Sequence, residues 1–280
     1  MTLSFEYIKT NGIQLHCALA GPENGDLVIL LHGFPESWFG WENQIEPLSK
    51  SGFRVIVPDQ RGYNLSDKPI GVDQYQMNVL VEDILGLADH LGYKKFYLAG
   101  HDFGAMVSWS LAIREPERVK SLVIANVPHP AVFKSYLRSH PSQMLKSWYA
   151  FFFQLPGIPE LFVKARNWKF MTSAMPDYFS EEELDRYREA WGQPGAITAM
   201  INWYRATFGS SRSSRLSRSI QPKTLVIWGK NDPYLSYQMA ALSLDHCDDG
   251  AMVLIDDATH WVQHDKSQQV SQLMIDYFKE

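Results

Sequence analysis

The segment Gly100-His101-Asp102-Phe103-Gly104 decides the fold. It joins Phe96–Ala99, an aliphatic run too short for a helix, to Ala105–Glu115, which is long enough for one. Gly-x-nucleophile-x-Gly between a strand and a helix is the elbow that thrusts a reactive side chain above a sheet on a strained turn. Small residues two positions to either side are needed because the tight turn brings neighbouring backbone close. The central residue is Asp102, where an esterase carries serine. Taken alone, the segment also fits an ordinary Gly-rich turn. Its surroundings decide between the two.

Those surroundings repeat the same alternation. Leu27–Leu31, Arg54–Val57 and Leu122–Ala125 are further short runs, ending in His32-Gly33, Pro58-Asp59 and Asn126. Trp41–Lys50 and Met77–Leu91 have helix length, and Val79, Leu80, Asp83, Ile84, Leu87 and Leu91 form a stripe at three-to-four spacing. This pattern predicts an α/β protein with a mostly parallel, eight-stranded sheet flanked by helices. Phe5–Thr10 and Ile13–Ala20 flank Asn11-Gly12, a hairpin signal, so the sheet is expected to begin antiparallel.

After Asn126 the alternation stops. From His129 to Ile220 the chain is rich in Trp, Tyr, Phe, Met and Pro without a strand-like run, and it reads as a helical insertion ending in the Ser/Arg connector Gly209–Ser219. Strand character then returns at Thr224–Trp228 and Met252–Ile255, with helices expected at Tyr237–Leu244 and Lys266–Phe278. The expected organisation is a core of residues 1–128 and 221–280 and a helical cap of residues 129–220.

Composition removes several classes of function. The 280 residues are 45% hydrophobic with a net charge of −5, which excludes general disorder and lacks the basic footprint of a nucleic-acid binder. No apolar run approaches the roughly 20 residues of a membrane span. Met1–Glu6 has neither the basic nor the apolar region of a signal peptide, and Cys17 and Cys247 make no disulfide framework. A cytoplasmic protein without a membrane anchor is expected. Charge is uneven, however: residues 129–220 carry 12 Lys/Arg against 7 Asp/Glu, as an insertion with its own surface would.

Other segments assign chemistry. Leu31-His32-Gly33-Phe34-Pro35-Glu36-Ser37-Trp38 follows a strand where an oxyanion-hole loop belongs, with the N–H groups of Phe34 and Phe103 as donors. A cis bond before Pro35 is one means of holding that loop. Asp232 follows the strand Thr224–Trp228, and His260 follows Met252–Ile255, giving the order nucleophile, acid, histidine along one sheet edge. His260 and His264 have the i, i+4 spacing of a metal pair, but no His-Glu-x-x-His pattern or third ligand accompanies them, so no metal is expected. The absence of Gly-rich nucleotide motifs implies no cofactor.

His32-Gly33-Phe34-Pro35-Glu36-Ser37-Trp38, the Asp102 segment and Asn202-Trp203-Tyr204-Arg205 resemble those of α/β-hydrolase epoxide hydrolases, as does the chain from its hairpin to its last helix. Val127-Pro128-His129-Pro130 and Phe153-Gln154-Leu155-Pro156-Gly157 resemble the branch that contains the membrane-anchored vertebrate forms, whose N-terminal anchor segment is not seen in this chain. The resemblance implies a small apolar epoxide and water as substrates, with Asp102 as nucleophile, His260 as general base and Asp232 orienting it. It carries the roles of the two lid tyrosines that point at the epoxide oxygen to Tyr204 and Tyr149, and suggests Trp38, Trp203 and Phe153 as pocket residues. Monomer and homodimer stay open.

Two other readings remain. Haloalkane and haloacid dehalogenases also use an aspartate nucleophile. The former commonly place Trp after it, where this chain has Phe103. The fluoroacetate type, which Asp59-Gln60-Arg61-Gly62-Tyr63 resembles, places arginines there. The remaining reading is a non-catalytic protein that binds an apolar ligand.

Overall fold

The computed structural model describes residues 3–209 and 219–280. Strands β1 (Ser4–Thr10) and β2 (Ile13–Ala20) pair antiparallel from Ser4↔Leu19 to Thr10↔Ile13. Asn11 and Gly12 turn between them with φ of 43° and 78°, the paired positive values that a two-residue type I′ hairpin requires. There follow β3 (Leu27–Leu31), α1 (Glu42–Lys50), β4 (Arg54–Pro58), α2 (Met77–His90), β5 (Phe96–His101), α3 (Phe103–Arg114) and β6 (Val119–Ala125).

Between β6 and β7 the described chain is helical: α4 (Pro130–Ser139), α5 (Pro141–Lys146), α6 (Trp148–Phe152), α7 (Ile158–Thr172), α8 (Glu181–Gly192) and α9 (Ala196–Gly209). Proline opens α4 and α5, where a missing N–H costs nothing. Ser180 and Glu183 cap α8 reciprocally. Within α7 the helix breaks at Arg166–Trp168, which adopt left-handed φ of 52° to 64°. Most of the expected connector, residues 210–218, lies outside the described residues. The chain closes with β7 (Lys223–Gly229), α10 (Gln238–Leu244), β8 (Gly250–Ile255), α11 (Val262–Asp265) and α12 (Ser267–Lys279).

The sheet order is β1-β2-β4-β3-β5-β6-β7-β8, and the strands from β4 to β8 run parallel. Helix α1 packs against α12, and α2 against α3. Every residue of β3 is buried, as expected for a parallel strand covered on both faces. Because β4 and β5 lie on opposite sides of β3, the chain reverses its winding there. Ligand crevices open beyond the carboxyl ends of strands at such a point. Among the described residues no helix is long and apolar enough to cross a membrane.

Element boundaries depart from the sequence reading where local hydrogen bonds intervene. Helix α3 starts at Phe103 rather than Ala105, because the Asp102 carbonyl already accepts from the N–H groups of Ala105 (3.0 Å) and Met106 (3.2 Å). Trp38–Trp41 form a separate tight turn, so α1 starts at Glu42.

Candidate active site

Asp102 follows β5 with φ 49° and ψ −122°, a conformation that costs a non-glycine residue energy. The strain is held by close approach on two sides. A Cβ on Gly104 would lie 2.1 Å from the Leu31 carbonyl oxygen, and one on Gly33 would lie 2.2 Å from the Asp102 Cβ. The loop after β3 therefore rests directly on the elbow after β5. Its Phe34–Pro35 bond is cis, as anticipated, and the Phe34 N–H donates to Asp102 Oδ1 at 2.7 Å. Phe103 supplies the first N–H of α3, a position with no intrahelical acceptor. Asp102 keeps 19% of its side chain exposed while neighbouring His101 is fully buried.

His260 Nε2 stands 3.7 Å from Asp102 Oδ2, and its Nδ1 stands 2.8 Å from Asp232 Oδ2. A carboxylate only accepts, so Nδ1 carries the proton and Nε2 faces Asp102. Asp232 is itself fixed: its Oδ1 accepts the N–H groups of Tyr234 (2.7 Å) and Leu235 (2.8 Å).

Asn126, which the sequence reading treats only as a strand end, completes this arrangement. Its side-chain amide donates to Asp232 Oδ2 (2.8 Å) and the Thr259 carbonyl (3.2 Å), and its oxygen accepts from Gly229 N–H (3.1 Å). It thereby ties together the loops after β6, β7 and β8.

Tyr204 and Tyr149 lie beside the elbow. The Tyr204 ring is 4.6 Å from Phe103 and 5.2 Å from Phe34, and the Tyr149 ring is 5.9 Å from Tyr204. Phe153 is fully buried behind them, 4.9 Å from Tyr204. Trp203 packs 5.4 Å from Phe103 and donates its indole N–H to the Arg61 carbonyl at 3.0 Å, so it supports the elbow from within the core.

Trp38 is a correction to the pocket expectation. Among the described residues its ring packs on Phe5 and Phe39 under the Arg186 guanidinium, and not on the rings around Asp102. The turn after Ser37 aims it toward β1. Tyr234 enters instead, 5.2 Å from His260 and 6.0 Å from Tyr149. Nothing in its Asp-Pro-Tyr context distinguished it from a turn residue.

Charge couples these groups. Burial would raise the Asp102 carboxyl, but hydrogen bonding and attraction to His260, with the Phe34 N–H, hold it below the usual carboxylate range. Burial would lower His260, yet the carboxylates of Asp232 and Asp102 push it up to about 10. Burial and the Asp102 charge both raise the Tyr149 and Tyr204 phenols, so they hold their protons through the ordinary pH range. Burial and the charges of Asp232 and Asp102 lift Tyr234 to about 12.

A second buried cluster adjoins the first. Glu36 Oε1 accepts from His264 Nε2 (2.6 Å) and the Tyr187 hydroxyl (3.1 Å). Its Oε2 accepts from Gln263 Nε2 (3.1 Å) and lies 3.3 Å from His101 Nδ1. His101 Nε2 donates to the His260 carbonyl at 2.9 Å, so the cluster reaches the backbone of the candidate base. His264 therefore serves Glu36. Burial opposes ionisation of Glu36, but His264 and His101 drive its pKa far below the usual range.

A depressed carboxylate contributes stability above its unfolded pKa, about 4.3, and that contribution fades as pH falls below it. Glu36→Gln is expected to cost about 3 kcal/mol at pH 7. The deficit should shrink at pH 4, and urea unfolding at the two pH values checks this.

The chain matches the family model described as alpha/beta hydrolase fold over residues 26–267. It is 46% identical to AB hydrolase superfamily protein YfhM of Bacillus subtilis (strain 168), over 98% of this chain and 97% of that protein. It is 35% identical to Epoxide hydrolase 4 of Homo sapiens, over 98% of this chain and 78% of that protein. The crystal structure of Bacillus megaterium epoxide hydrolase in complex with an inhibitor superposes with a TM-score of 0.91 at 30% identity, covering 98% of this chain and 100% of that one. The chain thus belongs to the alpha/beta hydrolase fold family, among the relatives named epoxide hydrolases.

Proposed function

We propose that this protein is an epoxide hydrolase that opens an epoxide to a vicinal diol through an ester on Asp102. The observation that carries this reading is an ionised carboxylate on a strained elbow, with His260 Nε2 3.7 Å from it and the ring of Tyr204, a phenol that keeps its proton, against Phe103 of the same elbow. An epoxide carbon needs a nucleophile already charged at neutral pH, and the departing oxygen, an alkoxide, needs a proton donor. Serine at this elbow would first have to lose a proton.

In this reading Asp102 Oδ2, the oxygen not held by Phe34, attacks the epoxide carbon. The C–O bond breaks, and Tyr204 or Tyr149 gives its proton to the alkoxide. Ester formation removes the Asp102 charge, which is among the causes holding both phenols and His260 high. One step thus makes the phenols better acids and His260 easier to deprotonate. His260 then takes a proton from water, steadied by Asp232, and the hydroxide adds to the Asp102 ester carbonyl. The N–H groups of Phe34 and Phe103 hold the resulting oxyanion. Collapse expels the diol and regenerates the carboxylate, and the proton taken up by His260 returns through water to the phenolate, which restores the starting state.

Residues 129–220 act as the cap that carries the phenols and keeps bulk water from the ester. Phe153 backs Tyr204 on its apolar side, and Trp203 braces the elbow beneath it. No cofactor or metal is needed for these steps. The unpaired thiols of Cys17 and Cys247 accord with a cytoplasmic setting.

Dehalogenation fits less well. Phe103 follows the nucleophile, and Arg61, the cation of the Asp59–Tyr63 segment, is buried with Asp83 at 2.6 Å, away from any substrate carboxylate. The test is diol formation from a panel of aryl, alkyl and lipid epoxides, with haloalkanes and haloacids assayed for halide release. Diol without halide supports the proposal; halide alone, or no turnover with retained ligand binding, overturns it. Tyr204→Phe and Tyr149→Phe are each expected to slow ester formation by about 10²-fold, and the double variant further, with ester hydrolysis little changed. Single-turnover kinetics separates the two phases.

A further inference from the structure

We propose that the outer face of α5, α6 and the first half of α7 docks on an anionic lipid surface. This surface is separate from the chemistry above and does not depend on it. Met144, Leu145, Trp148, Leu155, Ile158, Leu161 and Phe162 are all exposed large apolar side chains within 19 residues, Leu145 and Leu161 each to 75%. The patch is continuous from α6 to α7: Trp148 lies 6.3 Å from Phe170, which lies 5.1 Å from Phe162. A contiguous apolar face of this kind on a protein surface marks an interaction site.

Charge selects the partner. Residues 130–174 contain six basic side chains, of which Lys134, Arg138, Lys164, Arg166 and Lys169 are exposed while Lys146 turns inward to the Asp232 carbonyl at 3.4 Å, and a single acidic one, Glu160. Glu160 is neutralised by Arg205 at 2.7 Å. The other acidic residues of the insertion begin at Asp177 and cluster at the start of α8. Trp, Phe and Leu interspersed with Lys and Arg form the composition of an interfacial surface, whose apolar side chains enter the headgroup boundary while its cations meet anionic lipid. A second copy of this chain is a poorer occupant, since an isologous contact would oppose two surfaces of the same positive sign. Docking would also bring the candidate site within one helix thickness, about 10 Å, of lipid, because α6 carries Tyr149 as well as Trp148.

Co-sedimentation with vesicles of phosphatidylcholine and phosphatidylglycerol in equal parts tests this, with pure phosphatidylcholine vesicles beside them and sedimentation velocity of the protein alone. The wild type should sediment with the anionic vesicles, more weakly with the neutral ones, and lose binding as salt rises. Leu145→Glu with Leu161→Glu should abolish binding without changing the melting temperature, because both side chains are exposed. Lys164→Gln with Lys169→Gln should weaken binding to the anionic vesicles by about fivefold per charge and leave the neutral ones unaffected. Equal binding to both vesicle types, or none to either, overturns the proposal. So does a wild-type dimer that the leucine variants dissociate, which would assign the face to a second copy.

Discussion

An Asp102→Asn protein is expected to fold, retain epoxide binding and lose turnover by about 10⁴-fold or more. Asparagine has the shape of aspartate, tolerates the left-handed φ of 49° at the elbow and still offers an oxygen to the Phe34 N–H. What it lacks is charge, and a neutral amide does not open an epoxide. The same substitution removes one of the two carboxylates that push His260 up to about 10, so His260 should titrate at lower pH in the variant, as followed by nuclear magnetic resonance. A variant with wild-type turnover would place the nucleophile elsewhere. Lost turnover with an unmoved His260 titration would refute the electrostatic coupling.

The second large effect is expected from His260→Gln, which should divide the reaction in two. Asp102 remains ionised and the phenols remain protonated, so the ester forms. With no base for water it persists, and turnover falls by about 10³-fold or more. Intact-protein mass should show one substrate added per chain. Lost activity without an adduct would contradict the two-step scheme. In the wild type, ester hydrolysis requires neutral His260 and should slow as pH falls. Because ester formation removes the Asp102 charge, the midpoint of that loss should lie well below the value of about 10 in the free protein. Single-turnover decay of the ester across pH measures it.

Local chemistry made much of this legible in the sequence. The Asn11-Gly12 turn, the elbow glycines and the Asp232 and His260 loops each combine a short strand with a turn signal only a few residues away. The parts that escaped are those whose partners are distant in the chain. Glu36 meets His264 across 228 positions and His101 across 65, and neither separation leaves a periodic trace. Asn126 reads as a strand end until the folded sheet brings Asp232 and Thr259 to its amide. Trp38 failed in the opposite way. The resemblance suggested a place in the pocket, but the turn that follows Ser37 sets the ring against Phe5 of β1.

The glycines show how far backbone packing constrains this site. Gly33 and Gly104 permit two loops to lie within van der Waals contact around Asp102, and the strained elbow persists because both neighbours enclose it. The surrounding fold therefore fixes Asp102 before any substrate arrives, and in the proposed reaction this reduces the reorganisation needed at the reacting carbon.

The most direct measurement is one turnover of excess enzyme on an epoxide in heavy-oxygen water, followed by peptide mass spectrometry. Hydroxide adding to the carbonyl leaves its oxygen on the enzyme, while the diol departs with an oxygen from the carboxylate. The account predicts label in the peptide containing Asp102 and an unlabelled first-turnover diol. Label confined to the diol would mean that water attacks the epoxide directly, and would contradict it.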